Sequence, residues 1–355
     1  MRPTLRPLVA RADRRRGMPS SQWAIGVDVG GTKVVTGLID GDGEVAADQV
    51  AQTPHRSTAP RVVEDVIVAA VNALVAAAEA DDIDPSIDYA TLPIGVGAAG
   101  WIDSDRATIR FAPHLNWRDE PLALRLQARL GTAVTVENDA NAAAWAEYRY
   151  GAARGESRVV MLTLGTGIGG GMVFDGALER GRHGMAGEFG HMTVVPGGRK
   201  CECGNWGCWE QYASGPALRR EALEALKRGG PDAVPMRAAM RAEGGTVTGE
   251  MVTALAAAGD PVATDVVTTV GQWLGGGLAN LVAALDPGLI VIGGGVSTAG
   301  ELLLGPTRRA LASHLSGRGH RPVPPVLGAS LGPRAGMVGA ADLARREALD
   351  GAGLR

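Results

Sequence analysis

The amino-acid sequence predicts an α/β protein built on an internal duplication, and three observations carry that expectation. A glycine-turn hairpin occurs twice. The stretch "WAIGVDVGGTKVVTGLIDGDG" (residues 23–43) is an apolar run, a glycine-rich turn, a second apolar run and a turn at Asp40 and Gly41. The stretch "VVMLTLGTGIGGGMVFDGAL" (159–178) repeats it, and an offset of 135 residues lays Gly30 on Gly165, Asp40 on Asp175 and Gly41 on Gly176. Between and after the hairpins, apolar strand-like runs alternate with helical patterns. Finally, the helices near the C-terminus are rich in small residues, which suits close packing on a sheet.

Taken in chain order, a helix is expected over Arg61–Glu79, a strand in "LPIGVG" (92–97), a helix over Pro121–Leu130, a strand in "AVTVEND" (133–139) and a helix over Ala140–Tyr150. After the second hairpin come the helical "GQWLGGGLANLVAALDP" (271–287), the strand "LIVIGGG" (289–295), the strand-like "PVLGASL" (325–331) and the helical "GMVGAADLARREAL" (336–349). A chain of 355 residues buries a large core, in two domains or one large one.

Charge removes two function classes. The 35 basic residues are balanced by 38 acidic ones, so the body has no basic field to hold nucleic acid or an anionic membrane. The most apolar helical stretch, Val66–Ala78, is shorter than the roughly 20 residues that a bilayer span requires. Small-molecule chemistry is the expectation. The opening "MRPTLRPLVARADRRRGMPSSQ" carries six arginines against the single acid Asp13. It reads either as a nucleic-acid-binding arm or as a disordered leader with Met18 as the true start; the second is preferred, because nothing apolar there packs a domain. Three cysteines cannot all pair, and no secretory signal is visible, so the expected compartment is the cytoplasm.

Three glycine runs each follow an apolar strand: Gly30–Gly31, Gly165–Gly170 and Gly293–Gly295. One alone would read as a tight turn. Together they point to a nucleotide site, since glycine lets backbone N–H groups close on phosphate oxygens. "GTGIGG" (165–170) satisfies the dinucleotide pattern, but a short apolar strand follows it where that motif needs a helix.

Asp28 in "DVGGTK", "LNW" (115–117), "ENDANAAAW" (137–145), "LGTGIGGG" (164–171), "AGEFGHM" (186–192) and "CECGNWGCWEQYASG" (201–215) together resemble the ROK family of sugar kinases, most closely its actinobacterial-type glucokinase branch. The resemblance covers about residues 23–345. It implies the actin-like ATPase (ribonuclease H-like) fold, two α/β domains flanking a cleft: a leader over 1–22, a small domain of 23–143 plus a C-terminal helix 335–348, and a large domain of 144–334. The implied reaction is transfer of the γ-phosphoryl group of ATP to the 6-hydroxyl of glucose, with a homo-oligomer, dimer or tetramer, as the family expectation. Family members that act on N-acetylmannosamine, N-acetylglucosamine or fructose, or that use polyphosphate, remain alternatives. A sugar-responsive transcriptional repressor is the non-enzyme alternative, disfavoured because the leader is too short for a helix-turn-helix.

Phosphoryl transfer needs a phosphate cradle, Mg²⁺ and a base that aligns the attacking hydroxyl. Read alone, Asp139 is a helix N-terminal capping residue; the resemblance makes it the catalytic base, with Asn138 contacting the sugar and Asp28 near magnesium and the phosphates. ATP is expected on Gly30, Gly31, Thr32, Lys33, Gly165, Thr166, Gly167, Gly294 and Gly295. Sugar hydroxyls, each donor and acceptor, suit two carboxylates and a histidine. The resemblance assigns Glu188, His191 and Glu210 to them, with Gly100 and Asn116 on the opposite wall. All three cysteines, Cys201, Cys203 and Cys208, fall within eight residues, ten positions after His191. Three thiolates and an imidazole are the ligand set of a closed structural zinc site. By resemblance His191 gives one ring nitrogen to zinc and turns the other to the sugar.

Overall fold

A computed structural model of the chain describes residues 22–55, 57–112 and 115–351. The arginine-rich leader up to residue 21, with the expected start at Met18, lies outside the described residues. The chain forms two compact units: the first takes Met1–Arg154, Leu178–Ala186 and Arg334–Arg355, the second Gly155–Ala177 and Gly187–Pro333. The boundary expected at residue 143 falls inside a helix, Asp139–Tyr150, that belongs wholly to the first unit.

In the first unit, β1 (Ala24–Val29), β2 (Lys33–Ile39) and β3 (Val45–Gln52) form an antiparallel meander. Helix α1 (Pro60–Ala80) follows, with proline in its first turn and Val63, Ile67, Ala70, Val71, Leu74 and Ala78 buried at three- and four-residue spacing. That stripe packs on β2 and β3. Burying each of its larger side chains contributes about 1.5–3 kcal/mol. Strand β4 (Ile94–Ala98) then pairs parallel to β1. A small antiparallel sheet comes next, β5 (Trp101–Ile102), β6 (Ile109–Ala112) and β7 (Trp117–Glu120), whose Trp117 is fully buried in the core. Helix α2 (Leu122–Leu130), strand β8 (Val134–Asn138), parallel to β4, and helix α3 (Asp139–Tyr150) complete this stretch. The main sheet order is β3-β2-β1-β4-β8.

The second unit repeats the plan. Strand β9 (Arg158–Leu164) pairs antiparallel with β10 (Ile168–Phe174), and β11 (Ala177–Leu178) lies at the sheet edge. Helices α4 (Gly215–Arg228), α5 (Val234–Ala242), α6 (Gly249–Ala257) and α7 (Pro261–Leu285) precede β12 (Leu289–Gly293), which is parallel to β9; α8 (Glu301–His314) and β13 (Val326–Gly328) follow. The order β11-β10-β9-β12-β13 matches the first sheet strand for strand. The repeated hairpin in the sequence is thus the visible part of a repeated five-stranded sheet.

The chain's last described helix, α9 (Ala335–Gly351), returns to the first unit and lies against β1, β4 and α3. Its approach is so close that a Cβ at Gly95 would stand 1.8 Å from the Ala340 carbonyl oxygen, and one at Gly339 equally near that of Ala142. Small residues at these crossings are therefore steric requirements. Asp342, fully buried on α9, accepts hydrogen bonds from Trp145 Nε1 (2.7 Å), Arg149 Nε (3.1 Å) and Tyr150 Oη (2.6 Å) of α3. No helix among the described residues is long and apolar enough to cross a membrane.

Candidate functional site

In the first unit, the β8–α3 junction presents two of the expected site residues side by side. Asn138 ends the strand and caps the helix: its side-chain oxygen accepts from Asn141 N (3.0 Å), and its Nδ2 donates to Gly100 O (3.1 Å). Gly100 is thereby tied to the junction. Asp139, half-buried, is the first residue of α3, and one of its oxygens accepts from Ala140 N (2.8 Å). Asp28 lies near the end of β1, in register with Gly97 of β4, which is in register with Glu137 of β8. Burial, and then the neighbouring Asp139 carboxylate, push the Asp28 carboxyl from its ordinary 3.8 up to about 7. A carboxylate so placed suits a bound cation, which is the role expected of it with Mg²⁺. The Gly30–Lys33 turn is closed by Gly30 N on Lys33 O (2.9 Å) and leaves Gly31, Thr32 and Lys33 exposed. Asn116 stands exposed in the turn just before β7 with a left-handed backbone (φ 55°).

The second unit holds the other expected residues. Gly165 N donates to Gly167 O (3.0 Å), and Gly165 O accepts from Gly215 N at the start of α4 (2.9 Å). Gly294 (φ 83°) packs directly on Leu164, so the Gly294–Gly295 turn borders the Gly165–Gly167 turn. On the other flank, the space a Cβ would take at Gly167 is filled by Glu210 Oε2, 2.4 Å from that position. The glycine at 167 thus makes room for the Glu210 carboxylate.

His191 Nε2 faces Glu188 Oε2 at 3.8 Å, whereas its Nδ1 faces Glu210 Oε1 at 3.9 Å and Cys201 Sγ at 3.7 Å. The metal-ligating atoms of His191, Cys201, Cys203 and Cys208 all lie within 4.8 Å of one another, with Cys203 Sγ 3.6 Å from Cys208 Sγ. Tetrahedral zinc with Zn–S bonds near 2.3 Å sets sulfur–sulfur edges of about 3.8 Å, so this donor set fits the ion. Burial, and next the hydrogen bond to Glu210 Oε1 (3.0 Å), push the Cys201 thiol up; burial does the same to Cys208. Thiolates in this loop therefore call for a cation. The loop itself is braced by the bridges Thr193 to Cys208 and Lys200 to Trp206 and by buried Trp209, whose Nε1 donates to Trp273 O (2.9 Å).

The model of the ROK family matches residues 24–347. The chain belongs to the ROK family. It is 42% identical to a glucokinase of Streptomyces coelicolor over 334 residues, 90% of this chain and 97% of that protein. A crystal structure of a ROK family glucokinase from Streptomyces griseus in complex with glucose and AMPPNP superposes with a TM-score of 0.81 at 44% identity, covering 91% of this chain and 99% of that one. A xylose repressor of Bacillus subtilis is 28% identical over 310 residues, 87% of this chain and 72% of the repressor. The actin-like α/β fold is common to the ROK family, and the two matching sheets carry it here.

Within this ROK chain one residue of the β8–α3 junction and its partner from the segment Leu178–Ala186 escape the sequence reading. Glu137 is buried and Arg180 bonds to it at 2.7 Å. Glu137 carries a signal, a carboxylate on a strand that must be buried; Arg180, in the polar run "ERGRHG", carries none.

Proposed function

We propose that the protein is a magnesium-ATP-dependent glucokinase that phosphorylates the 6-hydroxyl of glucose, with Asp139 as general base. The observation that carries this reading is the pair of carboxylates in one unit, Asp28 pushed up to about 7 by burial and by Asp139. Two neighbouring carboxylates can divide two tasks: one for the cation, one for the proton. The 42% identity to a Streptomyces glucokinase supports the choice of sugar.

In the proposed mechanism, the Asp139 carboxylate accepts the proton of the attacking hydroxyl as the phosphoryl group arrives. Asn138 uses one side-chain N–H on Gly100 O and has a second for a sugar oxygen. Glu188, His191 through Nε2, and Glu210 take the remaining hydroxyls. The glycine turns at 30–33, 165–167 and 294–295 close backbone N–H groups on the phosphates. Magnesium, when bound, neutralises phosphate charge, and Asp28 is the residue that would hold it. Zinc, held by His191 Nδ1, Cys201, Cys203 and Cys208, would fix the imidazole tautomer and so the atom presented to the sugar. The enzyme is proposed to act in the cytoplasm as a homo-oligomer, which light scattering tests.

A coupled assay across glucose, fructose, N-acetylglucosamine and N-acetylmannosamine, each with ATP and with polyphosphate, decides the substrate pair. Glucose with ATP should give the highest kcat/KM. A better value for another sugar or donor would reassign the enzyme, and sugar binding without turnover would favour a sensor.

A further inference from the structure

Glu137 has no part in the mechanism above, yet it is 2% exposed and its carboxylate is engaged on both oxygens. Oε1 accepts from the backbone N–H of Asn138 (3.1 Å) and from Asn141 Nδ2 (3.0 Å). Oε2 accepts from Arg180 Nε at 2.7 Å. A buried carboxylate is costly unless it is paired and hydrogen-bonded, and this one is both. What it bonds is the junction between β8 and α3. Every one of its backbone and amide partners lies within four residues of Asp139.

Arg180 comes from an unusual place. It sits in Leu178–Ala186, a short segment of the first unit whose sequence neighbours on both sides belong to the second. The segment is folded on itself by Ala186 N to Arg180 O (3.0 Å), and Gly184 is packed against the backbone of Ile102 and Asp103. The guanidinium is thus delivered to Glu137 from a braced loop. Ion pairs on mobile surface chains contribute little; one buried partner and a braced second make this pair different.

We propose that Glu137 and Arg180 form a positioning pair that fixes the Asn138–Asp139 turn and with it the aim of the Asp139 carboxylate. This rests on the reading of Asp139 as the base. Without the guanidinium, the Glu137 carboxylate turns toward water and releases the Asn138 amide and the Asn141 side chain. The cap at Asn138 then loosens, and Asp139, the next residue, loses its fixed direction. A misplacement of about 1 Å at a reacting group costs on the order of a hundredfold in rate.

The test uses Arg180→Ala, Arg180→Lys, Glu137→Gln and the double variant Arg180→Ala/Glu137→Gln in the full chain, each assayed well below its own Tm. Arg180→Ala should lower kcat about ten- to a hundredfold with KM for ATP within about twofold of wild type. Arg180→Lys, which keeps the charge without the fork, should lose less. If the two residues act as one unit, the double variant loses no more than the worse single. Hydrogen exchange at amides 138–141 should speed up in Arg180→Ala while the rest of α3 stays protected, a readout independent of turnover. Unchanged exchange there, turnover within about twofold of wild type in the folded variants, or losses that multiply in the double variant would each overturn the pairing. Should Arg180→Ala not fold, Arg180→Lys and Glu137→Gln carry the same comparison. Full turnover by Asp139→Asn would instead refute the base assignment, leaving the exchange result to judge the pair.

Discussion

Replacing Asp28 by asparagine should make the metal-free protein more stable at neutral pH and the enzyme nearly inactive. The carboxyl is pushed from 3.8 up to about 7 by burial first and the Asp139 charge second. Between those values the folded state keeps a proton that the unfolded chain has lost, so folding stability falls as pH rises from about 4 to about 7 and then levels off. A displacement of about 3 units corresponds to at most about 4 kcal/mol at about 1.4 kcal/mol per unit. Part of the residue's surface still reaches solvent, and with that screening about half of the figure, ~2 kcal/mol, is the expected effect. The side-chain amide of the variant has no charge to desolvate. With EDTA present, Tm of the variant at pH 8 should exceed that of wild type by about 4–8 °C, and the two should converge near pH 4. Adding Mg²⁺ at pH 8 should raise wild-type Tm and leave the variant unmoved. Thermal melts across pH 4–8 read both effects, and a coupled assay reads the activity. A variant less stable than wild type at pH 8 without metal, or one that keeps the wild-type pH slope, would refute the reasoning.

Three further outcomes are expected. Asp139→Asn should lower kcat by about 10²–10⁴ while calorimetric glucose binding persists, the usual worth of a positioned base; near-normal turnover would remove it from the mechanism. Cys203→Ser should lower bound zinc from about one per chain and raise KM for glucose well before Tm falls, with KM for ATP little changed, because His191 Nε2 loses its imposed tautomer. A zinc-free, fully active wild-type enzyme would rule that out. Gly167→Ala should raise KM for glucose as well as for ATP, since the new methyl would lie 2.4 Å from Glu210 Oε2 and must displace it; an effect confined to ATP would show that Glu210 does not touch the sugar.

What the sequence discloses of this fold and site follows from range. The repeated hairpin is legible because each glycine turn sits between its own two strands, and the clustering of Cys201, Cys203, Cys208 and His191 because they share one loop. Several helix ends come out within two residues, as where the helix expected from Ala140 starts at Asp139 and the Asn138 side chain takes Asn141 N. The helix expected from Gly271, however, begins well before it, at Pro261, where Asp260 caps it by accepting from Ala263 N. The β5–β7 sheet is not legible, because strands of two to four residues show too little alternation to be read. Helix α4 is absent from the expected elements too, although Ser214 carries a capping hydroxyl that accepts from Ala217 N. The meeting of Asp28 with Asp139 is out of reach of local pattern. It depends on the parallel register of β1, β4 and β8, which brings residues 28, 97 and 137 into one row. Arg180 depends on more, a chain that leaves one unit, lends the segment Leu178–Ala186 to the other and goes back.

The return of α9 to the first unit bears on how the protein is made. Synthesis runs from the N-terminus, so β1 and β4 emerge early, with Gly26 and Gly95 facing a groove whose occupant, Met337 and Ala340, is still hundreds of residues from being translated. The second unit, complete by Pro333, has all its strands and helices available sooner. The unit that begins first therefore cannot be completed until last, because the face of β1 and β4 that α9 covers has no cover until residues 335–351 have been made.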